Sequence, residues 1–384
     1  MKTTIYTALS ALFLSSTLLM TTSCLEDGDE TIAIENYSAI PDDEQAGEAP
    51  YVNNFNTNIS NPTNQEEEYD GEYVIRLDMT GVWDPSNNDW MYLWGTGARD
   101  QNIWLTIDGK PKGFIIYNTS DDNSGQKVSK ADLVFLVDNS GSMSDEANTI
   151  ANDIMSWSQE LERHGLDIRF GCVGYAERGF INGALDITSA TELSEYLNYS
   201  SGTNRTMHYG GSNSRTLQTN ANNMSSTGGE CGGMAIQYAD SYLNFRTGAN
   251  RIYVNFTDEP NQPGNYSRFS TEYYKTYSNW DASKGTVHTV YSDPDTTYTE
   301  VIGSREKPWR ISRYTGGTVL ITNGSFTGVN LSTLPVSGAM QNSYIIRFKS
   351  LEELKDGRYH TVEIVIRSAD GTVRAKRTFS MKFV

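Results

Sequence analysis

Leu133-Val134-Phe135-Leu136-Val137-Asp138-Asn139-Ser140-Gly141-Ser142 is the stretch on which the fold turns. Five apolar residues in unbroken succession suit a strand buried on both faces, as in a parallel sheet. Just beyond it, Ala147, Ile150, Ile154, Trp157 and Leu161 recur at spacings of 3, 4, 3 and 4, which makes one apolar stripe on a helix starting near Ser144. The same alternation continues. Ile168, Phe170 and Cys172 open a strand, Leu193 to Leu197 suggests a short helix, and Met234 to Phe245 a longer one. Ile252, Val254 and Phe256 mark a strand, Phe269 to Trp280 reads as a helix, and Val287 to Tyr291 and Val319 to Ile321 read as strands. Strand and helix in turn predict an α/β fold over residues 130–335, a doubly wound and mostly parallel sheet covered on both faces. Residues 201–229 form a long polar loop, a feature that is often functional.

The segments on either side read differently. In 71–129, Tyr73, Ile75 and Leu77 alternate with polar residues, Ile103 and Leu105 do so before an Asp108-Gly109 turn, and Phe114 to Tyr117 adds a strand. In 341–384, Tyr344 to Phe348 is a strand, and Val362, Ile364 and Ile366 pair with Val373 to Phe383 across Asp370-Gly371. Neither flank is large enough to bury a good core alone. The simplest architecture is one β-sandwich built from both, with the α/β domain inserted; the rival is two small separate β domains.

The first 23 residues of the 384 form a targeting segment: Lys2, then a short apolar run from Ile5 to Met20, then Thr21-Thr22-Ser23-Cys24. The run is too short and too rich in Ser and Thr for a membrane span. Between Cys24 and Asp70 stand 13 acidic residues and no Lys or Arg; Lys2 supplies a +1 before them, and residues 71–384 carry the remaining −6 of the total −18. The acidity therefore describes a solvated, flexible tether over 24–70 rather than a binding surface. No basic patch points to nucleic acid. An ordinary signal cut elsewhere would leave Cys24 incidental. The run more closely resembles a bacterial lipoprotein signal, with Thr21 standing where Leu is commoner. That resemblance implies a lipid on Cys24, and the acidic Leu25-Glu26-Asp27-Gly28-Asp29-Glu30 resembles signals that send lipoproteins to the outer face of the outer membrane. Cys172 and Cys231 are then an even pair in an oxidising compartment, which allows a disulfide; the place of Cys172 in an apolar strand equally suits a small buried hydrophobe.

Asp138, Ser140 and Ser142 sit where ligands bind in open α/β sheets, beyond the carboxyl end of a strand. A carboxylate and two hydroxyls at i, i+2 and i+4 in a tight loop can converge their oxygens, and hard oxygen donors suit Mg²⁺, Ca²⁺ or Mn²⁺. An Asp cap in a Ser/Gly turn is the plain alternative for the motif alone. Two further loops accompany it: Thr257-Asp258-Glu259-Pro260 after the strand Arg251 to Phe256, and Gly228-Gly229-Glu230-Cys231-Gly232 opening a helix.

Three oxygen-rich loops in this order resemble the metal ion-dependent adhesion site of von Willebrand factor A (vWA) and integrin I domains, over roughly residues 130 to 335. The resemblance implies metal ligation by Asp138, Ser140, Ser142 and Asp258. The family's second loop usually supplies a Thr; at the matching place, five residues before Ala235, this chain has Glu230, and Thr227 is the fallback ligand. Three carboxylates would hold a dication firmly and draw a partner's carboxylate less.

No enzyme is expected. His164, His208, His288 and His360 are scattered away from these loops, and no nucleophile elbow or phosphate loop occurs. The resemblance, the targeting segment and the tether together imply an adhesion or protein-interaction module at the cell surface. Carbohydrate capture is the alternative. Trp83, Trp90, Trp94 and Trp104 cluster in one β-rich flank, and Trp83 and Trp90 frame an Asp-Pro-Ser-Asn-Asn loop where exposed rings could stack on sugars, although aromatic residues there more often fill a core.

Overall fold

The computed structural model describes residues 39–53, 59–84, 86–119, 130–163, 167–198, 209–293, 295–322, 331 and 335–383. Cys24, His164 and His208 lie outside them. The strands are β1 (Thr63–Tyr69), β2 (Glu72–Met79), β3 (Trp83–Asp84), β4 (Asp89–Trp90), β5 (Ile103–Ile107), β6 (Lys110–Pro111) and β7 (Phe114–Asn118). They continue with β8 (Ala131–Asp138), β9 (Ile168–Ala176), β10 (Phe180–Thr188), β11 (Asn250–Thr257), β12 (Thr286–Tyr291), β13 (Val319–Ile321), β14 (Tyr344–Lys349), β15 (His360–Arg367) and β16 (Arg374–Met381). The helices are α1 (Ser144–Arg163), α2 (Ala190–Leu197), α3 (Arg215–Asn223), α4 (Gly232–Tyr242), α5 (Trp309–Thr315) and α6 (Pro335–Gln341).

The middle of the chain forms a six-stranded sheet, ordered β10-β9-β8-β11-β12-β13. All neighbours in it are parallel except β10, which runs antiparallel on the edge. Successive residues of β8 feed opposite faces, as a strand's two-residue period requires. Leu133, Phe135 and Val137 pack with the α1 stripe and α2, whereas Val134 and Leu136 pack with α4 and Ile311 of α5. A strand buried on both sides needs apolar residues at every position, which is why β8 reads as an unbroken run.

The flanks build two antiparallel four-stranded sheets, β1-β2-β14-β7 and β16-β15-β5-β6. Their inner faces share one core, with Ile75, Leu77, Ile116 and Ile346 on one side and Ile103, Leu105, Ile364 and Phe379 on the other. Both ends of the chain are needed: β14 lies between β2 and β7, with Ile346 opposite both Leu77 and Ile116.

Several expectations are corrected. The tether does not extend to residue 70. Thr63 to Tyr69 forms β1, and residues 39–53 lie against the sheet, with Asp43 accepting from Lys112 at 2.8 Å and from the Gly113 amide at 3.1 Å. The acids in this part are structural. Glu67 pairs with Arg347 at 2.5 Å and Arg76 at 3.4 Å, and both arginines are buried. Strand β1 escapes a hydrophobic reading because it is an edge strand whose side chains meet cations. Cys172 and Cys231 are free thiols, not a disulfide. Cys172 belongs to the core on one face of the six-stranded sheet and Cys231 to the core on the other, so the sheet stands between them. Phe269 to Trp280 forms short 3₁₀ turns rather than an α-helix, and α3 occupies part of the expected polar loop. Strand β10 was not foreseen. It returns from β9 through a hairpin in which Arg178 and Gly179 both take positive φ, 66° and 68°.

Candidate metal centre

Parallel pairing sets Val137 of β8 opposite Phe256 of β11, so the residues that follow each strand end beside one another. Asp138 is fully buried there. One carboxylate oxygen accepts the Ser140 amide at 3.0 Å, and the other accepts the Thr257 hydroxyl at 2.9 Å. The hydroxyls of Ser140 and Ser142 lie 3.0 Å apart, and Ser142 donates to Asp258 at 3.3 Å. A continuous set of oxygens thus runs Thr257, Asp138, Ser140, Ser142, Asp258. The loop is held from below, since the Asn139 amide donates to the Tyr175 carbonyl of β9 at 2.6 Å and the Met143 amide to Ser140 at 3.2 Å.

Of the residues singled out in the sequence, the structure brings Asp138, Ser140, Ser142 and Asp258 together. Glu230 is tied to the next loop: Gln262 donates to its carboxylate at 3.0 Å, and the Gln262 amide to its carbonyl at 2.8 Å. Its charge reaches this edge, because Glu230, Asp258 and Asp293 all raise the pKa of Glu259. The Thr227 hydroxyl donates instead to the Gly229 carbonyl at 2.7 Å. Thr257 and Asp293 were missed as site residues. Thr257 was legible only as the last position of an apolar strand, and Asp293 only by its place just after β12.

Burial and mutual repulsion push the carboxyls at this edge toward their protonated forms. Burial pushes the Asp138 carboxyl up to about 7, with the charge of Asp258 adding to it against the hydrogen bonds from Ser140 and Thr257. Asp258 and Glu259 are raised as well, again first by burial and then by neighbouring carboxylates. A dication would relieve all three, and a donor set of carboxylates and hydroxyls is the chemistry that Mg²⁺, Ca²⁺ or Mn²⁺ takes. Among the described residues no group of three or more His, Cys, Asp or Glu is placed to hold a metal, so any ion here depends on the hydroxyls.

A pH prediction follows from Asp138. Its folded pKa, about 7, lies above the unfolded value near 3.8, so the folded protein holds the proton more tightly. In chelator, stability should be greatest at and below pH ~4 as far as this group is concerned, and should fall as pH rises through ~7 by on the order of 4 kcal/mol. Denaturant melts across that window, with and without Mg²⁺, measure it. A stability that rises across the window in chelator, in wild type relative to Asp138→Asn, would count against the buried, uncompensated carboxylate.

The other candidates lie elsewhere. Trp83 and Trp90 meet edge to face, with centroids 5.2 Å apart and planes at 73°, not as a coplanar platform. Trp90 covers Gly338 so closely that a Cβ there would stand 2.4 Å from the indole. His288 is buried in β12, and burial lowers its pKa to about 3; His360 is hydrogen-bonded to Asp108 at 2.7 Å.

Fold and site together define an α/β sheet with an oxygen-donor cluster at its carboxyl edge, carried on an antiparallel sandwich. No protein-family model matches the chain, and no curated protein matches it. Among solved structures, the pilus adhesin SpaC from Lactobacillus rhamnosus GG, in an open conformation, aligns over 84% of this chain at 12% identity with a TM-score of 0.32. The chain spans 55% of the length of that adhesin.

Proposed function

We propose that this chain is a surface-anchored interaction protein whose vWA-type domain binds a divalent cation and uses it to hold a partner protein. Asp138, Ser140, Ser142 and Asp258 would hold Mg²⁺, or Ca²⁺ or Mn²⁺ in its place, with Glu230 as a fifth protein group. The observation that carries this reading is the hydrogen-bonded set from Thr257 through Asp138 and the two serines to Asp258, gathered at the ends of adjacent strands. Bound there, the cation supplies a positive centre for a partner's carboxylate or other oxygen, and the chain's own residues fix where that centre sits. No catalytic role is part of this proposal. Binding to candidate partner proteins should be lost in EDTA and restored by Mg²⁺; retention of binding in EDTA would refute the mechanism.

The anchor is part of the same proposal. Lipid on Cys24 would place the protein on the outer membrane, facing outward. No helix among the described residues is long and apolar enough to cross a membrane. Cys24→Ala should move the protein from the membrane fraction to the soluble fraction or leave it unprocessed. The same fractionation and the same mature mass in both proteins would remove the anchor from the account.

A further inference from the structure

Apart from the cation cluster, the fold carries an open cavity of about 610 Å³. Its walls come from the long segment between β11 and β12 and from the turn between β12 and α5, and include Asn265, Ser270, Glu272, Tyr273, Asn279 and Ile302. The volume falls in the range of small-ligand sites, and the lining mixes polar side chains with apolar surface. It offers two side-chain amides, the hydroxyls of Ser267 and Ser270, a carboxylate, one phenol ring and one aliphatic side chain. Among the described residues no Lys or Arg lines it, and Glu272 is the only charged liner. Glu272 already accepts from Arg310 at 2.6 Å and from the Tyr314 hydroxyl at 2.9 Å. An anion would find no cation there, and a cation would find a carboxylate already neutralised.

The cavity is also preformed. Behind it, the buried Glu306 takes four hydrogen bonds, from the Ser270 hydroxyl at 2.5 Å, the Thr271 amide at 2.6 Å, Asn261 at 3.0 Å and the Gly303 amide at 2.8 Å. One buried carboxylate therefore clamps both walls, joining Ser270 and Thr271 on one to Gly303 on the other. Such a clamp lowers the ordering cost that a weakly held polar ligand must otherwise meet.

From these features we infer that the cavity is a binding site for a neutral sugar, of mono- or disaccharide size. Vicinal hydroxyls act as donor and acceptor together, which suits the side-chain amides of Asn265 and Asn279 and the Ser267 hydroxyl. The apolar face of a pyranose ring suits Tyr273 and the exposed Ile302. The wall is joined to the cation loops, since Gln262, two residues before the cavity's Gly264, is the residue that holds Glu230. A partner glycoprotein could then be gripped at both places, but the sugar site does not depend on the metal.

The test is ligand-observed saturation-transfer NMR on the whole protein in EDTA. The probes are galactose, mannose, N-acetylglucosamine and glucuronate at millimolar concentration, with a short Gly/Ser peptide as control. At least one neutral sugar should receive saturation. Its affinity should fall by about tenfold or more, ~1.4 kcal/mol, in Tyr273→Ala and in Ile302→Arg. Ile302 is exposed, so its variant keeps the test valid if the Tyr273 variant folds poorly. In both variants the response to Mg²⁺ should be unchanged, which separates this site from the cation site. The inference fails if no neutral sugar responds, if both folded variants bind as the wild type does, or if glucuronate or the peptide is preferred.

Discussion

In the Asp138→Asn protein, the rise in unfolding temperature that Mg²⁺ gives the wild type should disappear. A ligand bound only to the folded state at a hundred times its dissociation constant stabilises by about 2.7 kcal/mol, several degrees for a domain of this size. Asn keeps the shape of Asp138 but brings one neutral acceptor where the cation needs a charge. The folded state should survive the change. The Ser140 amide keeps its acceptor, and the Asn amide can donate to the Thr257 hydroxyl, which is also within 3.3 Å of the Glu259 carbonyl and can turn towards it. In chelator above pH ~7 the variant should be at least as stable as the wild type, because an uncompensated buried charge has gone. Calorimetric titration and thermal melts read both effects. Equal Mg²⁺ stabilisation in the two proteins would move the cation away from Asp138.

Removal of residues 342–384 should abolish the sandwich and not merely shorten it. It deletes β14, β15 and β16. Strands β2 and β7 lose their common neighbour, and β5 loses β15. The buried faces of Ile75, Leu77, Ile103, Leu105 and Ile116 would open to water. Each large aliphatic side chain left exposed forfeits roughly 1.5–3 kcal/mol, and five of them together amount to about 7.5–15 kcal/mol, comparable with the whole stability of an ordinary domain. Residues 59–119 should then be digested rapidly by protease while 130–322 is digested more slowly. Equal protection of the two regions in the truncated protein would mean that the first flank stands alone. The milder Ile346→Ala should cost about 2–5 kcal/mol by the cavity it leaves between Leu77 and Ile116.

What could be read in advance follows from how each residue earns its place. The unbroken run of β8 and the stripe of α1 are dictated by burial, and burial leaves an apolar pattern. The four oxygen donors that come together stand at strand ends and in the loops that follow them, where polar residue types stand out against the apolar runs before them. Strand β1 was hidden because Glu66 and Glu67 are held by partners distant in sequence, Arg347, Lys355 and Ser350 among them, and a carboxylate carries no sign of having a partner. Thr257 was hidden for the opposite reason: a β-branched residue closing a buried strand looks like packing. The segment from Phe269 to Trp280 has enough aromatic residues for a helix, but its backbone is turned by Asn261 and Glu306, which lie outside any local window.

One junction between the sandwich and the α/β sheet lies at the far edge from the proposed cation. The Asn61 amide donates to the Thr286 hydroxyl at 2.9 Å and its side chain to the Gly285 carbonyl at 2.8 Å, while Thr63 meets Asn250 at 3.2 Å. Thr286 and Asn250 are the first residues of β12 and β11, whereas Asp138 and Asp258 lie at the carboxyl ends of β8 and β11. The two edges are separated by the length of a strand, roughly 25 Å at about 3.3 Å per residue. Force applied between these two edges would run along the strands and load the β8–β11 ladder in shear, with many hydrogen bonds resisting at once instead of parting one by one. The sheet is a tie-bar between its own two edges.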